Sequence, residues 1–322
     1  MFPFSRGLPV NKSLPLKCPC HKKADLTCGD DCYVCKAPEC CHSAGGGVPF
    51  TVINGVPVLI SAENTDTLCD PKSIKSYVSR SSIKLSPLKK LLVGESVTTI
   101  DNCARFVDQL RSISSAPRVL VIGSGEQGSG TSHLWNDAQL EIHGVDIYAS
   151  DTVDVVCDGH YLPLADESYD GVWIQAVLEH VVEPNKVADE IFRVLKPGGI
   201  VYAETPFMQQ VHEGAYDFTR FTVLGHRYLF KDFEAIDFGG NKGPELVLAW
   251  SLRYFTWGIT RSRKLARIVG VLSGLILRPF GRLMSKESMF DGPSGVYFLG
   301  KKTTGTRLRH RDLPALYKGA MR

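Results

Sequence analysis

The chain has 322 residues, of which 43% are hydrophobic and 22% are charged. These fractions are those of an ordinary globular protein, and they exclude a wholly disordered chain and a small scaffold held only by disulfide bonds. The net charge is only +3 but is unevenly distributed, because the chain from residue 220 onward has 19 Lys and Arg against seven Asp and Glu. This asymmetry predicts that the basic part contacts something anionic.

The first predicted module, residues 1–62, is rich in cysteine: seven of the ten cysteines fall between residues 18 and 41. Residues 1–17 contain no apolar stretch of the kind that secretory leaders carry. We therefore expect a cytoplasmic protein, in which clustered cysteines bind a metal ion rather than form disulfide bonds. The longest charge-free apolar run, residues 268–277, is too short to span a membrane.

Two short cysteine pairs predict a structural zinc site with the spacing of a zinc ribbon. Cys18 and Cys20 form the first pair, and Cys32 and Cys35 form the second. Zinc takes four ligands in a tetrahedron, and each pair supplies two from one tight turn. The stretch TVINGVPVLI that follows resembles the strand ending of small zinc-ribbon modules. Those modules usually have C-x-x-C at both pairs, and the first pair is one residue shorter here, so other ligands remain open: Cys28, Cys40, Cys41, His21 and His42.

The chain between the cysteine module and residue 117 carries two local signals. Asn54-Gly55, between apolar runs, predicts a hairpin turn. Residues 63–116 are polar and rich in serine, which indicates a linker, and an amphipathic pattern over residues 100–113 predicts a helix at its end.

From residue 118 onward, short apolar segments alternate with a helical pattern. Residues 185–195 have helical periodicity and are followed by Pro197-Gly198-Gly199, which ends helices. The alternation predicts an α/β domain over residues 117–304, with a parallel sheet covered by helices on both faces. The candidate strands are residues 118–123, 140–146, 153–158, 170–175 and 199–207.

A glycine-rich turn follows the first of these strands. Gly123-Ser124-Gly125-Glu126-Gln127-Gly128 is a G-x-G-x-x-G sequence, which allows a ligand to approach the backbone closely. Asp146 ends the next strand, where a carboxylate can accept hydrogen bonds from both hydroxyls of an adenosine ribose. NAD-dependent dehydrogenases share both features, so these alone do not identify the cofactor.

Four further motifs follow between residues 153 and 206. They are Asp158-x-x-x-Leu162-Pro163, Ser168-Tyr169-Asp170, the L-E-H-V sequence of residues 178–181, and the R-V-L-K-P-G-G sequence of residues 193–199. In this order they resemble the class I S-adenosylmethionine (SAM)-dependent methyltransferases, in particular the type 11 group. The resemblance implies a Rossmann-like seven-stranded sheet whose last strand is antiparallel, and SAM as the cofactor.

The resemblance also implies which residues bind that cofactor. Glycines of the turn would lie against its methionine part, Asp146 would hold the ribose, and Asp158 would hold the adenine. One departure is Val121, which stands where the family has an acidic residue, so the amino group of SAM needs another acceptor. The implied cofactor-binding residues are Gly123, Ser124, Gly125, Asp146, Ile147, Asp158, Gly159, Gln175 and Ala176.

Residues 206–222 resemble a segment that covers the acceptor site in a bacterial subset of these enzymes. No N/D-P-P-Y/F motif follows the fourth strand, which argues against methylation of an adenine or glutamine nitrogen. His212 can take a proton from a hydroxyl near neutral pH, Asp217 can orient it, and Arg220 can hold an anionic or sugar substituent. Alternatively, Asp217 and Arg220 form a structural ion pair. His180 is a second candidate base.

The stretch 246–286 is predicted to be a basic amphipathic insertion before the last strand, and residues 305–322 form a basic tail. Between Glu245 and Glu287 there is no acidic residue, and cationic residues alternate with aromatic and aliphatic ones. This pattern is typical of helices at anionic membrane surfaces, which would make the protein peripheral to a membrane. A lid helix with a solvated basic face and an RNA-binding surface are the alternatives.

Three functions are compatible with these patterns. The first is a SAM-dependent methyltransferase that methylates a hydroxyl of a small, sugar-like or lipid-linked acceptor. The second is an RNA methyltransferase, since some of these carry a cysteine zinc module. The third is a scaffold that binds SAM without catalysis, which the valine at position 121 suggests. The sequence does not name the acceptor or the oligomeric state.

Overall fold

The computed structural model describes residues 13–21, 24–29, 31–61, 63–64, 67–69, 95–305 and 307–321. The serine-rich part of the predicted linker, residues 70–94, lies outside the described residues.

The cysteine-rich segment forms a small four-stranded antiparallel sheet in the order β1-β2-β3-β4. Asn54 and Gly55 both have positive φ angles, 53° and 79°, as a type I′ hairpin turn requires, so the predicted turn is confirmed. The four strands are β1 (Leu26–Cys28), β2 (Cys32–Cys35), β3 (Phe50–Ile53) and β4 (Val56–Pro57).

The rest of the chain forms a seven-stranded sheet and its helices. The helix predicted at the end of the linker is α1 (Val97–Ile113). The first half of the domain continues with β5 (Arg118–Ile122), α2 (Ser132–Trp135), β6 (Glu141–Asp146), β7 (Val155–Val156), β8 (Tyr169–Gln175), α3 (Pro184–Val194) and β9 (Leu195–Pro206). The second half comprises α4 (Val223–Leu229), β10 (Phe233–Asn241), α5 (Pro244–Thr260), α6 (Arg263–Leu277), α7 (Lys286–Asp291) and β11 (Gly295–Lys302).

The strand order in this sheet is β10-β11-β9-β8-β5-β6-β7. Strands β5 to β9 pair in parallel, whereas β11 is antiparallel to both of its neighbours. The predicted α/β sheet with an antiparallel last strand is therefore confirmed. The order reverses between β5 and β8, and ligands of open α/β sheets bind at the carboxyl ends of strands beside such a point.

Two strands, β9 and β7, differ from the predicted bounds by more than one residue at an end. Strand β9 begins at Leu195, because this residue pairs with Tyr169 ahead of a bulge that contains Gly198, whose φ is 83°. Strand β7 has only two residues because it lies at the sheet edge and pairs with β6 at Val155 and Val156 alone.

Both faces of the sheet are covered by apolar packing. Helix α1 lies close to β8, because a Cβ on Gly171 would come within 2.8 Å of Leu110 and 2.9 Å of Phe106. On the same face, the rings of Trp173 and Tyr202 stack with centroids 4.1 Å apart. The cysteine module joins the opposite core, where Leu59 is buried and its N–H donates to the Val156 carbonyl at 2.9 Å.

The predicted basic insertion consists of two helices, α5 and α6, between β10 and β11. Arg261 ends α5 with a φ of 54°, and the Ser262 hydroxyl accepts the Leu265 N–H at the start of α6. Over residues 244–277 only Ala249 and Ala266 are buried, so this helical hairpin lies at the periphery of the domain. None of the described helices combines the length and apolar character that a membrane span requires.

Candidate active site

A cavity of about 290 Å³ opens at the carboxyl ends of β5, β6 and β8. These strand ends meet at one edge of the sheet because the strands are parallel and adjacent. Six of the residues implied in cofactor binding line the cavity: Gly123, Asp146, Ile147, Asp158, Gly159 and Ala176.

The glycine turn packs tightly against its surroundings. Gly123 has a φ of 77°, and a Cβ there would lie 2.1 Å from the Val177 side chain. Ser124 is fully buried, and the Gly125 N–H donates to the Asp146 carboxylate at 2.7 Å. The Ile147 N–H donates to the other carboxylate oxygen at 2.7 Å. The turn therefore fixes the orientation of Asp146 at the cavity wall.

Asp158 is held in the same wall by its neighbours. Its carboxylate accepts hydrogen bonds from the Thr67 hydroxyl at 2.5 Å and from the His160 N–H at 2.9 Å, and the His160 ring lies 2.6 Å away. Burial opposes ionisation, but these hydrogen bonds outweigh it and lower the pKa of Asp158 below its usual value. The group is therefore ionised at neutral pH, which suits an acceptor for an exocyclic amine.

A second cavity, of about 260 Å³, adjoins the first at Ala176, which lines both. Ala176 has a φ of 54°, so the backbone after β8 turns sharply at the junction. Gln175 lines only the second cavity, and its amide donates to the Ser129 carbonyl at 3.2 Å. Leu246 and Trp250 of α5 form part of the wall, so the helical hairpin contributes to this cavity.

His212 lies on the second cavity, and its ring is oriented by Asp217. Nδ1 of His212 is 3.2 Å from the Asp217 carboxylate, which also accepts the backbone N–H of His212 at 3.0 Å. Burial and the neighbouring His180 lower the pKa of His212. Burial raises the pKa of Asp217, but hydrogen bonds from Arg220 and His212 outweigh this and lower it to about 2. His212 is therefore a neutral imidazole beside an ionised carboxylate.

Arg220 lines neither cavity. Its guanidinium makes two hydrogen bonds to Asp217 and others to the carbonyls of Gln209 and Thr219. No helix spans residues 217–220, so the pair lies in an extended segment. Arg220 is placed to hold Asp217, and the structure does not bring it to a position where an acceptor would contact it.

His180 lies on the first cavity, opposite His212. Its Nδ1 is 2.7 Å from the Tyr216 carbonyl, and its ring meets that of His212 edge to face with centroids 5.0 Å apart. The two histidines therefore flank the junction of the two cavities.

Two carboxyl groups at the junction were not singled out by sequence reasoning. Glu179 is fully buried, and burial raises its pKa to about 8. Glu204 is half-buried and accepts hydrogen bonds from the Tyr202 hydroxyl at 2.6 Å and the Thr99 hydroxyl at 2.8 Å. In the sequence, the signal that Glu179 points inward is its position beside the apolar residues of the L-E-H-V motif.

The thiols of the cysteine module gather in a group that differs from the two sequence pairs. The Sγ atoms of Cys18, Cys20 and Cys40 all lie within 4.8 Å of one another, and the Cys35 thiol lies near those of Cys18 and Cys40 without belonging to that group. Cys32 belongs to no such group among the described residues. Positions three apart on a strand point to opposite faces, so β2 directs Cys35 and Cys32 apart.

Residues 120–203 match the family model described as a methyltransferase domain. The match extends from β5 to β9, and it contains both the glycine turn and the strand ends that line the first cavity.

Two curated relatives and two solved structures are similar to parts of the chain. A demethylmenaquinone methyltransferase of Clavibacter sepedonicus is 42% identical over 84 residues, which are 25% of this chain and 34% of that protein. Another, from Paenarthrobacter aurescens, is 34% identical over 117 residues, 31% of this chain and 43% of that protein. The chain thus spans less than half the length of these relatives.

The Haemonchus contortus phosphoethanolamine N-methyltransferase 2 in complex with SAM has a TM-score of 0.42 and 17% identity, covering 67% of this chain and 56% of that one. A SAM-dependent methyltransferase from Archaeoglobus fulgidus also has a TM-score of 0.42 and 17% identity, covering 67% and 98%. The match to a methyltransferase domain model thus covers residues 120–203, which contain the parallel strands β6 to β8, most of β5 and β9, and much of the wall of the first cavity.

Proposed function

We propose that the chain transfers a methyl group from SAM to a hydroxyl oxygen of a small, sugar-like or lipid-linked acceptor. The observation that carries this proposal is the His212–Asp217 pair on the wall of a second cavity that adjoins the cofactor cavity at Ala176. The sulfonium of SAM is already activated, so the protein has to align the acceptor and assist the loss of its proton. His212 assists that loss, while Asp217 and Arg220 hold its ring in place.

SAM itself fits the residues of the first cavity. Asp146 would hold the ribose hydroxyls, Asp158 the adenine amine, and the backbone at Gly123 would lie against the methionine part. When bound, SAM supplies the methyl group as an electrophile. Both carboxylates already have fixed orientations, so little ordering is needed on binding.

Replacing His212 with glutamine is expected to lower methyl transfer by about 10²- to 10⁴-fold, the range typical of a lost acid–base group. The assay follows a tritium-labelled methyl group from SAM into lipid extracts and hydroxylated sugars, with His133→Gln on the exposed side of α2 as the matched control. Affinity for S-adenosylhomocysteine, measured by calorimetry, should stay unchanged. In the unmutated protein the rate should fall as pH drops through a value below the usual 6.5, because burial lowers the pKa of His212.

Two outcomes would contradict the proposal. Label that enters RNA and not lipid or sugar would favour the RNA methyltransferase alternative. Tight binding of SAM by both the unmutated protein and His212→Gln, with no methyl transfer to any acceptor by either, would favour the scaffold that binds SAM without catalysis.

For the cysteine module we propose a structural zinc ion held by Cys18, Cys20, Cys35 and Cys40. Cys18 and Cys40 have their sulfurs 3.6 Å apart, close to the separation of about 3.8 Å that zinc–sulfur bonds of ~2.3 Å give in a tetrahedron. The backbone N–H groups of Ala37 and His42 donate to Cys35 and Cys40 at 3.4 Å. Such donors stabilise thiolates, the form in which cysteine binds metal.

Replacing Cys35 and Cys40 together with serine should release about one zinc per chain, because thiolates supply most of the charge that neutralises the ion. The measurement is elemental analysis of purified protein. The matched control is the double variant Cys28→Ser with Cys32→Ser, which should keep its zinc. Zinc retained in the first variant and lost in the control would place the site around Cys28 and Cys32 instead.

We also propose that the helical hairpin of α5 and α6 lies on an anionic membrane surface and that the acceptor is lipid-linked. Its basic residues match an anionic surface: Arg253, Arg261, Arg263, Lys264 and Arg267. Arg278, Arg282 and Lys286 follow directly after the hairpin. Large apolar side chains are exposed on both helices: Leu248, Leu252, Phe255, Trp257, Ile259, Leu265, Ile268, Val271, Leu272, Leu275 and Ile276.

The position of the hairpin ties this surface to the acceptor cavity. Leu246 and Trp250 of α5 line the second cavity, so a lipid-linked acceptor would reach it directly from the membrane. The names of the two curated relatives, both demethylmenaquinone methyltransferases, support an apolar acceptor of this class.

A further inference from the structure

Three metal-binding side chains meet at the junction of the two cavities. The donor atoms of Glu179, His180 and His212 all lie within 4.8 Å of one another. Nε2 of His180 is 3.5 Å, and Nε2 of His212 is 3.9 Å, from the same Glu179 oxygen. Both separations exceed the usual N–H···O distance of about 2.7–3.2 Å, so these contacts are not ordinary hydrogen bonds.

The opposite nitrogens of both histidines are held by acceptors. Nδ1 of His180 lies 2.7 Å from the Tyr216 carbonyl oxygen, and Nδ1 of His212 lies 3.2 Å from the Asp217 carboxylate. These partners favour the tautomer with the proton on Nδ1, which leaves both Nε2 lone pairs directed towards Glu179. Histidines that bind metals have this arrangement, with a carbonyl or carboxylate on the second ring nitrogen.

The side chain of Glu179 has no hydrogen bond to any of the described residues, although it is fully buried. Burying a carboxyl group without hydrogen-bond partners is costly. A cation shared with the two histidines would remove that cost.

We infer that Glu179, His180 and His212 bind a divalent transition-metal cation. Two ligand atoms at about 2.1 Å from a tetrahedral ion lie about 3.4 Å apart, near the separations found here. Two imidazoles and one carboxylate suit first-row divalent metals and leave coordination positions open. Glu179 and His212 line the second cavity, so an open position would face the acceptor.

This inference rests on the proposed function for its purpose and deepens the role of His212. A hydroxyl bound to a divalent cation ionises more readily, because the cation lowers its pKa. His212 would then act as a ligand of the ion and not as the base, and the proton of the metal-bound hydroxyl would pass to solvent water. Asp217 would be a positioning residue behind that ligand.

The test is to titrate the 322-residue chain with Mn²⁺ and to measure the remaining free ion by electron paramagnetic resonance. Mn²⁺ prefers oxygen and nitrogen ligands, so the thiols of the cysteine module compete poorly for it. We expect one site in the unmutated protein and binding weakened by more than ~10-fold in Glu179→Gln, which removes the charge but keeps the shape. Glu183→Gln, an exposed carboxyl that lines the first cavity, is the matched control and should bind as the unmutated protein does.

Asp217→Asn keeps all three ligands and should weaken Mn²⁺ binding by about 10- to 100-fold, as expected for a partner of a metal-binding histidine. Calorimetry with S-adenosylhomocysteine checks that each variant is folded. Absence of Mn²⁺ binding to the unmutated protein, or equal binding by Glu179→Gln, would overturn the inference.

Chelation separates this inference from the proposed function. If methyl transfer disappears with EDTA and returns with Mn²⁺, the cation takes part in the reaction. Methyl transfer that EDTA leaves intact, in a protein that binds no Mn²⁺, removes the cation and leaves His212 as a base on its own. Mn²⁺ binding without methyl transfer to any acceptor would leave the cation site standing and overturn the proposed function.

Discussion

Asp146→Ala is expected to weaken SAM binding by about 10²- to 10⁴-fold. The ribose would lose two hydrogen bonds to a charged acceptor, each contributing roughly 1.5–3 kcal/mol, and 1.4 kcal/mol corresponds to tenfold in affinity. The N–H groups of Gly125 and Ile147 would also lose the carboxylate that holds the glycine turn. The measurement is calorimetry with SAM and with S-adenosylhomocysteine.

Two controls make this result specific. Asp151→Ala removes an exposed carboxylate a few residues away and should bind SAM normally. Asp146→Asn keeps the shape and one acceptor oxygen, so it should give an intermediate affinity in a folded protein. Tighter binding of NADH than of S-adenosylhomocysteine by the unmutated protein would contradict the cofactor assignment.

Reversing three charges on the helical hairpin should nearly abolish its binding to anionic vesicles. Each basic residue near such a surface contributes about 1 kcal/mol, so loss of Arg261, Arg263 and Arg267 alone removes about 3 kcal/mol, more than 100-fold in affinity. Replacement by glutamate adds repulsion to that loss. The measurement is co-sedimentation with vesicles that contain increasing phosphatidylglycerol, at low and high salt.

The matched control reverses the same number of charges elsewhere: Arg307, Arg309 and Arg311 of the tail, all exposed. That variant has the same net charge and should keep most of its vesicle binding. RNA binding would also depend on charge and salt, so a third variant with Ile268, Leu272 and Ile276 changed to serine separates the two. Insertion into lipid needs these apolar side chains, whereas contacts with RNA phosphates do not. The membrane proposal would be overturned if the unmutated protein did not bind vesicles and the serine variant still bound RNA.

The large sheet was predictable because its signals are local and repeated. Apolar segments of strand length, the glycine turn after β5 and the L-K-P-G-G sequence after α3 each specify a short stretch, and their order fixes the topology. The same reasoning placed α1 and the Asn54-Gly55 turn. The predicted start of β9 is wrong, because a bulge lets Leu195 pair with Tyr169 before the chain reaches Gly198. The sequence Pro197-Gly198-Gly199 indicates only that the helix ends there.

The candidate site was predictable only where a residue lies directly at a strand end. Asp146, Asp158 and Ala176 follow strands and line the cavity for that reason. The inward position of Glu179 depends on residues 212–219 folding over it, where the N–H groups of Phe218 and Thr219 donate to its backbone carbonyl. Sequence spacing likewise does not reveal that Cys40, and not Cys32, lies with the other thiols. That depends on the face of β2 to which a side chain points and on the loop after β2, which brings Cys40 back to the group.

The pairing of residues 58 and 59 with β7 gives the cysteine module a second role, as a cover for the edge of the large sheet. Val58 bridges Val156, and Leu59 donates to the same residue, so the backbone that a two-residue edge strand would leave open is occupied. Open edges are templates for association with other chains. Residues 58 and 59 therefore cover backbone of the large sheet that would otherwise be open to other chains, and Thr67, a few residues further on, links the same segment to the wall of the first cavity through Asp158.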